Sequence, residues 1–187
     1  SYFGTESIGA CASAPSKISF TIFDTPAPVP DAGPDIAVCS NTYILQGNTP
    51  IIGSGIWSTP GSAVIDDPSD PHSAVHNLSP GLNLFRWTVR NGPCVSVDEV
   101  IITRDLQPAP AMAGPDQSFC NTSAAILHGS NPTNQGTGTW SVVSGHAVFT
   151  DAHNPGTTAS GLPGGLNTLA WSIASRYGVC ITTTDTM

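Results

Sequence analysis

The sequence predicts an all-β chain in which one small antiparallel sandwich is written twice in tandem, and three observations carry that prediction. First, Ala32-Gly33-Pro34-Asp35 followed by Cys39 returns 81 residues later as Ala113-Gly114-Pro115-Asp116 followed by Cys120. Second, the same landmarks follow each copy in the same order. Gly53-Ser54-Gly55-Ile56-Trp57 is answered by Gly136-Thr137-Gly138-Thr139-Trp140, Trp87 by Trp171 and Cys94 by Cys180, which uses all four tryptophans. Third, the chain between these landmarks has no helical period, only short runs with a period of two. A unit of roughly 80 residues is too long for a solenoid repeat and suits a small domain with its own core.

The clearest strand is 84–90, where Phe85, Trp87 and Val89 face one way and Arg86, Thr88 and Arg90 the other. The second copy keeps this alternation as Leu169, Trp171 and Ile173 against Ala170, Ser172 and Ala174. Further strands are expected at 43–46, 55–59, 63–65, 73–76 and 99–104, with counterparts at 125–128, 139–143, 147–149 and 157–160 and a run from 181. About seven short strands per copy, bounded by Gly, Pro, Asn and Asp, form the pattern of a two-sheet sandwich. Prolines one residue apart in 24–30 and 105–110 favour extended polyproline II geometry, so these read as short, semi-rigid linkers. The expected division is 28–107 and 108–187, the latter with its last strand cut short. Residues 1–27 read as the closing strands of an earlier domain, because Cys11 followed by Ile18, Phe20 and Ile22 matches Cys94 followed by Val100 and Ile102.

Charge is sparse and acidic: 5 Lys and Arg against 13 Asp and Glu, a net charge of −8. Nucleic-acid binding is disfavoured, since phosphate neutralisation needs clustered basic residues. No apolar run approaches membrane-spanning length. The five cysteines include no Cys-x-x-Cys or zinc pattern. One early and one late cysteine per copy suggests Cys39 with Cys94 and Cys120 with Cys180, Cys11 taking a partner upstream. The near-equal gaps between Cys11 and Cys39 and between Cys94 and Cys120 leave a boundary-crossing scheme open. The in-domain scheme is the expectation, because a domain of this size is marginal without help and closing a loop of ~55 residues contributes about 4 kcal/mol in the chain-entropy model. Persisting disulfides imply an oxidising compartment, secreted or cell surface.

Other candidate groups are few. Asp66, Asp67 and Asp70 crowd one Pro-rich loop and offer three carboxylates to Ca²⁺, but the second copy has only Asp151 there. Otherwise no metal or cofactor is expected. His72 and His76 lack a third zinc ligand. Asp31, Asp35 and Asp116 sit at the linkers and are expected to cap turns. Asn77 and Asn121 head Asn-x-Ser sequences, which matter only in a eukaryotic secretory pathway. No catalytic constellation is present: there is no Gly-x-Ser-x-Gly, no His-Glu-x-x-His and no phosphate-binding loop, and the chain is not expected to be an enzyme.

Taken as a set, Ala-Gly-Pro-Asp-x-x-x-Cys, Gly-x-Trp-Ser, Gly-Leu-Asn-x-Leu-x-Trp-x-(Val/Ile) and Gly-x-Cys resemble the immunoglobulin-like and PKD-like repeats of giant surface adhesins from gliding Bacteroidetes, SprB-like proteins, over residues 28–187. Trp57 and Trp140 resemble the core tryptophan that an immunoglobulin domain places near its disulfide, and are expected to be buried. The resemblance implies tandem Ig-like sandwiches in the stalk of a very large adhesin, exported by the type IX secretion system and anchored at the outer membrane. Its partners would be neighbouring repeats of the same polypeptide, a surface or glycan ligand bound elsewhere in the protein, and proteins of the secretion or motility apparatus. Asp185-Thr186-Met187 resembles the O-glycosylation signal of these bacteria, which would make Thr186 an acceptor. The competing reading is a carbohydrate-binding accessory module of a secreted polysaccharide-degrading enzyme, which would need exposed, coplanar aromatic rings.

Overall fold

The computed structural model describes residues 2–4, 7–8, 11–12, 16–26 and 29–187, with side chains from 18–26 and 29–187. Every regular element among them is a strand, and no helix is long and apolar enough to cross a membrane. At the front, β1 (Tyr2–Gly4), β2 (Ser7–Ile8), β3 (Cys11–Ala12) and β4 (Ser16–Ile18) form two short antiparallel pairs, β1 with β4 and β2 with β3. Ile18 ends β4, and Phe20 and Ile22 beyond it are largely exposed. The upstream partner expected for Cys11 concerns a side chain outside the described set.

The first sandwich contains β5 (Ile36–Val38), β6 (Tyr43–Ile44), β7 (Ser54–Ser58), β8 (Val64–Ile65), β9 (Ala74–His76), β10 (Gly81–Asn91) and β11 (Cys94–Arg104). One sheet runs β5-β11-β10-β7 and the other β6-β9-β8. All pairs are antiparallel except β5, which lies parallel to the end of β11. With β7, β10 and β11 as strands C, F and G, and β6, β9 and β8 as strands B, E and D, this is the immunoglobulin-like arrangement. The alternation in 84–90 is realised as read: Phe85, Trp87 and Val89 are fully buried. They meet Leu45, Val75 and Leu78 from the opposite side to form the core.

The second sandwich repeats the plan with β12 (Ala125–Ile126), β13 (Thr137–Ser144), β14 (Val148–Phe149), β15 (Thr158–Ser160), β16 (Thr168–Ala174) and β17 (Thr183–Thr186). Its sheets are β13-β16-β17 and β12-β15-β14, around Leu127, Trp140, Ala159, Leu169, Trp171 and Ile173. Each core is built on a tilted pair of indoles, Trp57 with Trp87 at 4.9 Å between ring centroids and Trp140 with Trp171 at 5.0 Å. The four indole N–H groups donate to carbonyls of Pro71, Asn48, Pro155 and Ser130 respectively. Burying one such ring is worth about 4–6 kcal/mol as an upper estimate.

The repeated motifs are explained by these contacts. A side chain on Gly55 or Gly138 would strike the ring of Trp87 or Trp171, and one on Gly53 or Gly136 would meet the carbonyl of Arg90 or Ala174 at 2.5 Å. Gly-x-Gly-x-Trp therefore lets a strand lie flat on its neighbour's indole. In Ala-Gly-Pro-Asp, the buried Ala32 N–H donates to Asp98 Oδ2 and the buried Ala113 N–H to Asp185 Oδ2, both at 2.8 Å. This clamp ties the start of each sandwich to its last strand. The following glycines turn with φ of 83° and 90°, which other residues adopt only under strain. Of the Asn in each Gly-Leu-Asn, Asn83 staples its turn by accepting the Ser79 N–H and donating to Ser79 O, while Asn167 donates to Pro163 O in its turn and accepts the His146 N–H from the loop after β13.

Candidate functional site at the junction of the two sandwiches

The cysteines do not pair within the sandwiches. Cys39 is bonded to Cys180, 141 residues further on, with a Cα–Cα distance of 5.1 Å. Cys94 and Cys120 carry free thiols, so both the in-domain scheme and the boundary-crossing scheme are corrected. Strand register supplies the reason. Val38 stands beside Arg104, at one end of β11, whereas Cys94 begins β11 at the other. Ten residue steps at about 3.3 Å separate those ends by ~33 Å, and a disulfide requires Cα atoms within about 7 Å. Cys39 is therefore held where the chain leaves the first sandwich. Cys180 lies in the turn between β16 and β17, which the second sandwich directs back toward the linker.

The linker is fastened on both sides. Asp105 N–H donates to Val38 O at 2.8 Å, continuing the strand pairing that places Cys39. The Asp105 carboxylate, 1% exposed, accepts N–H groups of Leu106, Tyr177 and Val179 at 2.9, 3.2 and 3.3 Å. Burial alone would raise its pKa, but hydrogen bonds from the Ser175 side chain and from the Leu106, Val179 and Tyr177 amides together leave it below the usual carboxylate range. Ser175 Oγ also accepts the Cys180 N–H at 3.2 Å, joining the buried acid to the disulfide. Further along, Gln107 Nε2 donates to Ile181 O at 2.6 Å, Asn134 Nδ2 to Gln107 O at 3.0 Å, and Ala111 N–H to Thr183 Oγ1 at 3.0 Å. Asn134 and Gln135 both hold left-handed backbone, with φ of 53° and 59°. A linker read as a polyproline spacer is thus bonded to the second sandwich along most of its length. Two sandwiches joined covalently, by a buried acid and by a hydrogen-bonded strap can resist relative rotation and separation.

Asp105, Gln107 and Ser175 were not among the sequence candidates. The available signal was Asp24, which stands 81 residues before Asp105 at the head of the preceding Pro-rich segment.

The other candidates are placed separately. Asp67 accepts the N–H and hydroxyl of Ser69, the hydroxyl first in importance, and these hold its carboxyl below its ordinary range. Asp70 accepts the His72 N–H, and Asp66 pairs with His76 at 2.9 Å on the surface. The three carboxylates do not converge, and among the described residues no group of three His, Cys, Asp or Glu could hold a metal ion. Asp31 caps its own turn through the Gly33 N–H, while Asp35 reaches across to the Ile101 N–H. Asp116 borders a cavity of about 770 Å³ together with Phe119, Leu166 and Met187. Thr186 is exposed on β17, beside the clamp residue Asp185. All four tryptophans are at most 2% exposed and offer no stacking platform for a sugar.

No protein-family model matches the chain, and no curated protein sequence does. Among solved structures, it is similar to extracellular domains 3-5 of Drosophila OTK, with 10% identity over 94% of this chain and 63% of that one at a TM-score of 0.49. It is also similar to Sidekick-1 immunoglobulin domains 1-4, with 11% identity over 86% of this chain and 47% of that one at a TM-score of 0.49. A third is the extracellular portion of mouse CD200RLa, with 8% identity over 81% of this chain and 97% of that one at a TM-score of 0.47. The chain thus spans less than two thirds of the first two. The immunoglobulin-like assignment rests on the strand order, in two all-β sandwiches set in tandem.

Proposed function

We propose that this chain is a spacer in the stalk of a large cell-surface adhesin, divided at 28–107 and 108–187, whose task is reach and resistance to tension. The observation that carries the reading is the Cys39–Cys180 bond across the junction. Tension applied at the two ends enters through the segment before Cys39, crosses the sulfur bridge and leaves after Cys180. Residues 40–179, which include nearly all of both cores, lie off that path. The motifs with the same contacts in both sandwiches have structural tasks, as clamp, indole cover or turn staple, and this supports a role as scaffold. Ligand binding then belongs to another part of the protein. The motif set favours the giant type IX-exported adhesins of gliding Bacteroidetes, displayed at the outer membrane, with neighbouring repeats as the immediate partners.

The test is made on cells. Antibody against residues 28–187 is expected to label intact cells, and in-frame removal of those residues to weaken surface attachment or gliding while display persists. Labelling only after lysis would overturn the reading. So would specific capture of a polysaccharide by the isolated chain on a glycan array, which would favour the accessory-module reading instead.

A further inference from the structure

Each sandwich carries an early and a late cysteine, yet of these four the structure joins only the early one of the first to the late one of the second. The remaining two occupy equivalent places at the outer poles. Cys94 begins β11 directly after the turn that follows the Trp87 strand, and Cys180 lies in the turn that follows the Trp171 strand. The resemblance extends to what that turn touches. Cys94 Sγ is 3.7 Å from Phe23 O, Asn91 Nδ2 donates to Asp24 O at 2.9 Å, and the Phe23 ring covers Gly92. Asp24 is the counterpart of Asp105, so the pole before β5 reproduces the contact of turn on linker. Cys120, exposed, follows the second Ala-Gly-Pro-Asp at the distance at which Cys39 follows the first. One pole therefore has a turn and a linker prepared for an early cysteine, and the other presents an early cysteine prepared for such a turn.

We propose that Cys94 and Cys120 are each half of a further staple of the same kind, bonded to the complementary cysteine of an adjoining repeat in the same polypeptide. The rule is that the early cysteine of one repeat bonds the late cysteine of the next. It rests on the extracellular spacer reading, because closure needs an oxidising compartment. Two thiols become one disulfide, and their two protons and two electrons pass to a disulfide of that compartment, which is reduced to two thiols. Cys94 and Cys120 both lie inside the 39–180 loop, so successive loops overlap. Every residue of an inner repeat is then enclosed by at least one cross-linked loop. The result is a covalent ladder along the stalk rather than a string of separately locked beads.

The experiment lengthens the chain by one repeat. Asp185 is the counterpart of Asp98 by the shared clamp, so Met187 corresponds to Val100. Appending a second copy of residues 101–187 after Met187 continues the last strand and adds a linker and a sandwich. The protein is matured in a glutathione redox buffer, its thiols are blocked, and its peptides are mapped without reduction. The expected map has Cys39 joined to Cys180 and Cys120 joined to the appended copy of Cys180, with Cys94 and the appended copy of Cys120 alkylated. Cys120→Ser should free one additional thiol, at the appended Cys180, and leave Cys39–Cys180 intact. Alkylation of Cys120 beside an intact Cys39–Cys180 bond overturns the ladder, as does a Cys94–Cys120 link. Absence of both expected bonds removes the staple itself. Surface labelling of cells is independent of all these maps, so the ladder can fail while the spacer reading stands.

Discussion

The two sandwiches agree where the chain must hold together and differ where it meets solvent. Both have the indole pair, the glycines that cover it, the aspartate clamp and the Asn-stapled turn. The loop after the fourth strand of the first sandwich carries Asp66, Asp67 and Asp70 and an Asp66–His76 pair, whereas the second has Asp151 and a His153 bonded to Gly138 O. The difference teaches which residues bear the repeated task. Core, clamp and stapled turn recur; of the three loop carboxylates only Asp67 has a counterpart, Asp151, which accepts the His153 N–H as Asp67 accepts the Ser69 N–H.

The largest effect that would sharpen this comparison is mechanical. Pulled from its ends, the oxidised chain is expected to lengthen by no more than about 160 Å, the contour of the residues outside the bridge at ~3.5 Å each. Cys39→Ser, or reduction, should release the hidden residues as two unfolding events totalling about 500 Å of contour at ~3.5 Å per residue. Two full events from the oxidised chain would show that the bridge does not span the junction. The same substitution should remove about 5 kcal/mol of stability in the chain-entropy picture of so long a loop, read by denaturant unfolding. Next in size are the cores. Trp87→Ala and Trp171→Ala should each cost about 3–5 kcal/mol, each in its own sandwich. Hydrogen exchange that collapses across both halves after either substitution would mean one shared core.

Much of this fold was legible in the sequence, because alternation in 84–90 is set by burial and recurs in 169–174 apart from Ala170, which is buried although the alternation turns it outward. The tryptophans were legible as core for the same reason. The cysteine pairing was not. Counting an early and a late cysteine per copy assumes that both stand at the same end of the sandwich. The parallel pairing of β5 with the far end of β11 puts them at opposite poles, and that pairing is a long-range property with no local signature. Asp105 escaped notice because a buried acid and a turn-capping acid look alike beside proline. Only its amide partners, more than seventy residues away, tell them apart.

The junction acid gives a smaller, pH-dependent effect. The folded carboxyl of Asp105 lies below its ordinary 3.8, so the folded state favours the charged form. Its contribution is fully present above the unfolded pKa of about 3.9 and is lost as pH falls through the lower folded value. Acidification below about pH 4 should loosen the junction, seen as faster hydrogen exchange at Tyr177 and Val179 and faster reduction of Cys39–Cys180. Asp105→Asn should raise both rates already at neutral pH, costing about 1–3 kcal/mol, and flatten the acid limb. An unchanged acid limb in the variant would assign the effect to other carboxylates.

The smallest effect is expected from the loop that distinguishes the first sandwich. Its three carboxylates are engaged separately with Ser69, His72 and His76, so a Ca²⁺ ion would have to break those bonds to gather them. The exposed Asp66–His76 pair is worth ~0–1 kcal/mol. Replacing Asp66, Asp67 and Asp70 together by Asn should therefore leave the denaturant midpoint nearly unchanged. Millimolar Ca²⁺ should leave the melting temperature of the parent chain unchanged. A calcium-dependent rise that vanishes in the triple variant would show that this loop rearranges around an ion. The two sandwiches would then differ in task as well as in loop sequence.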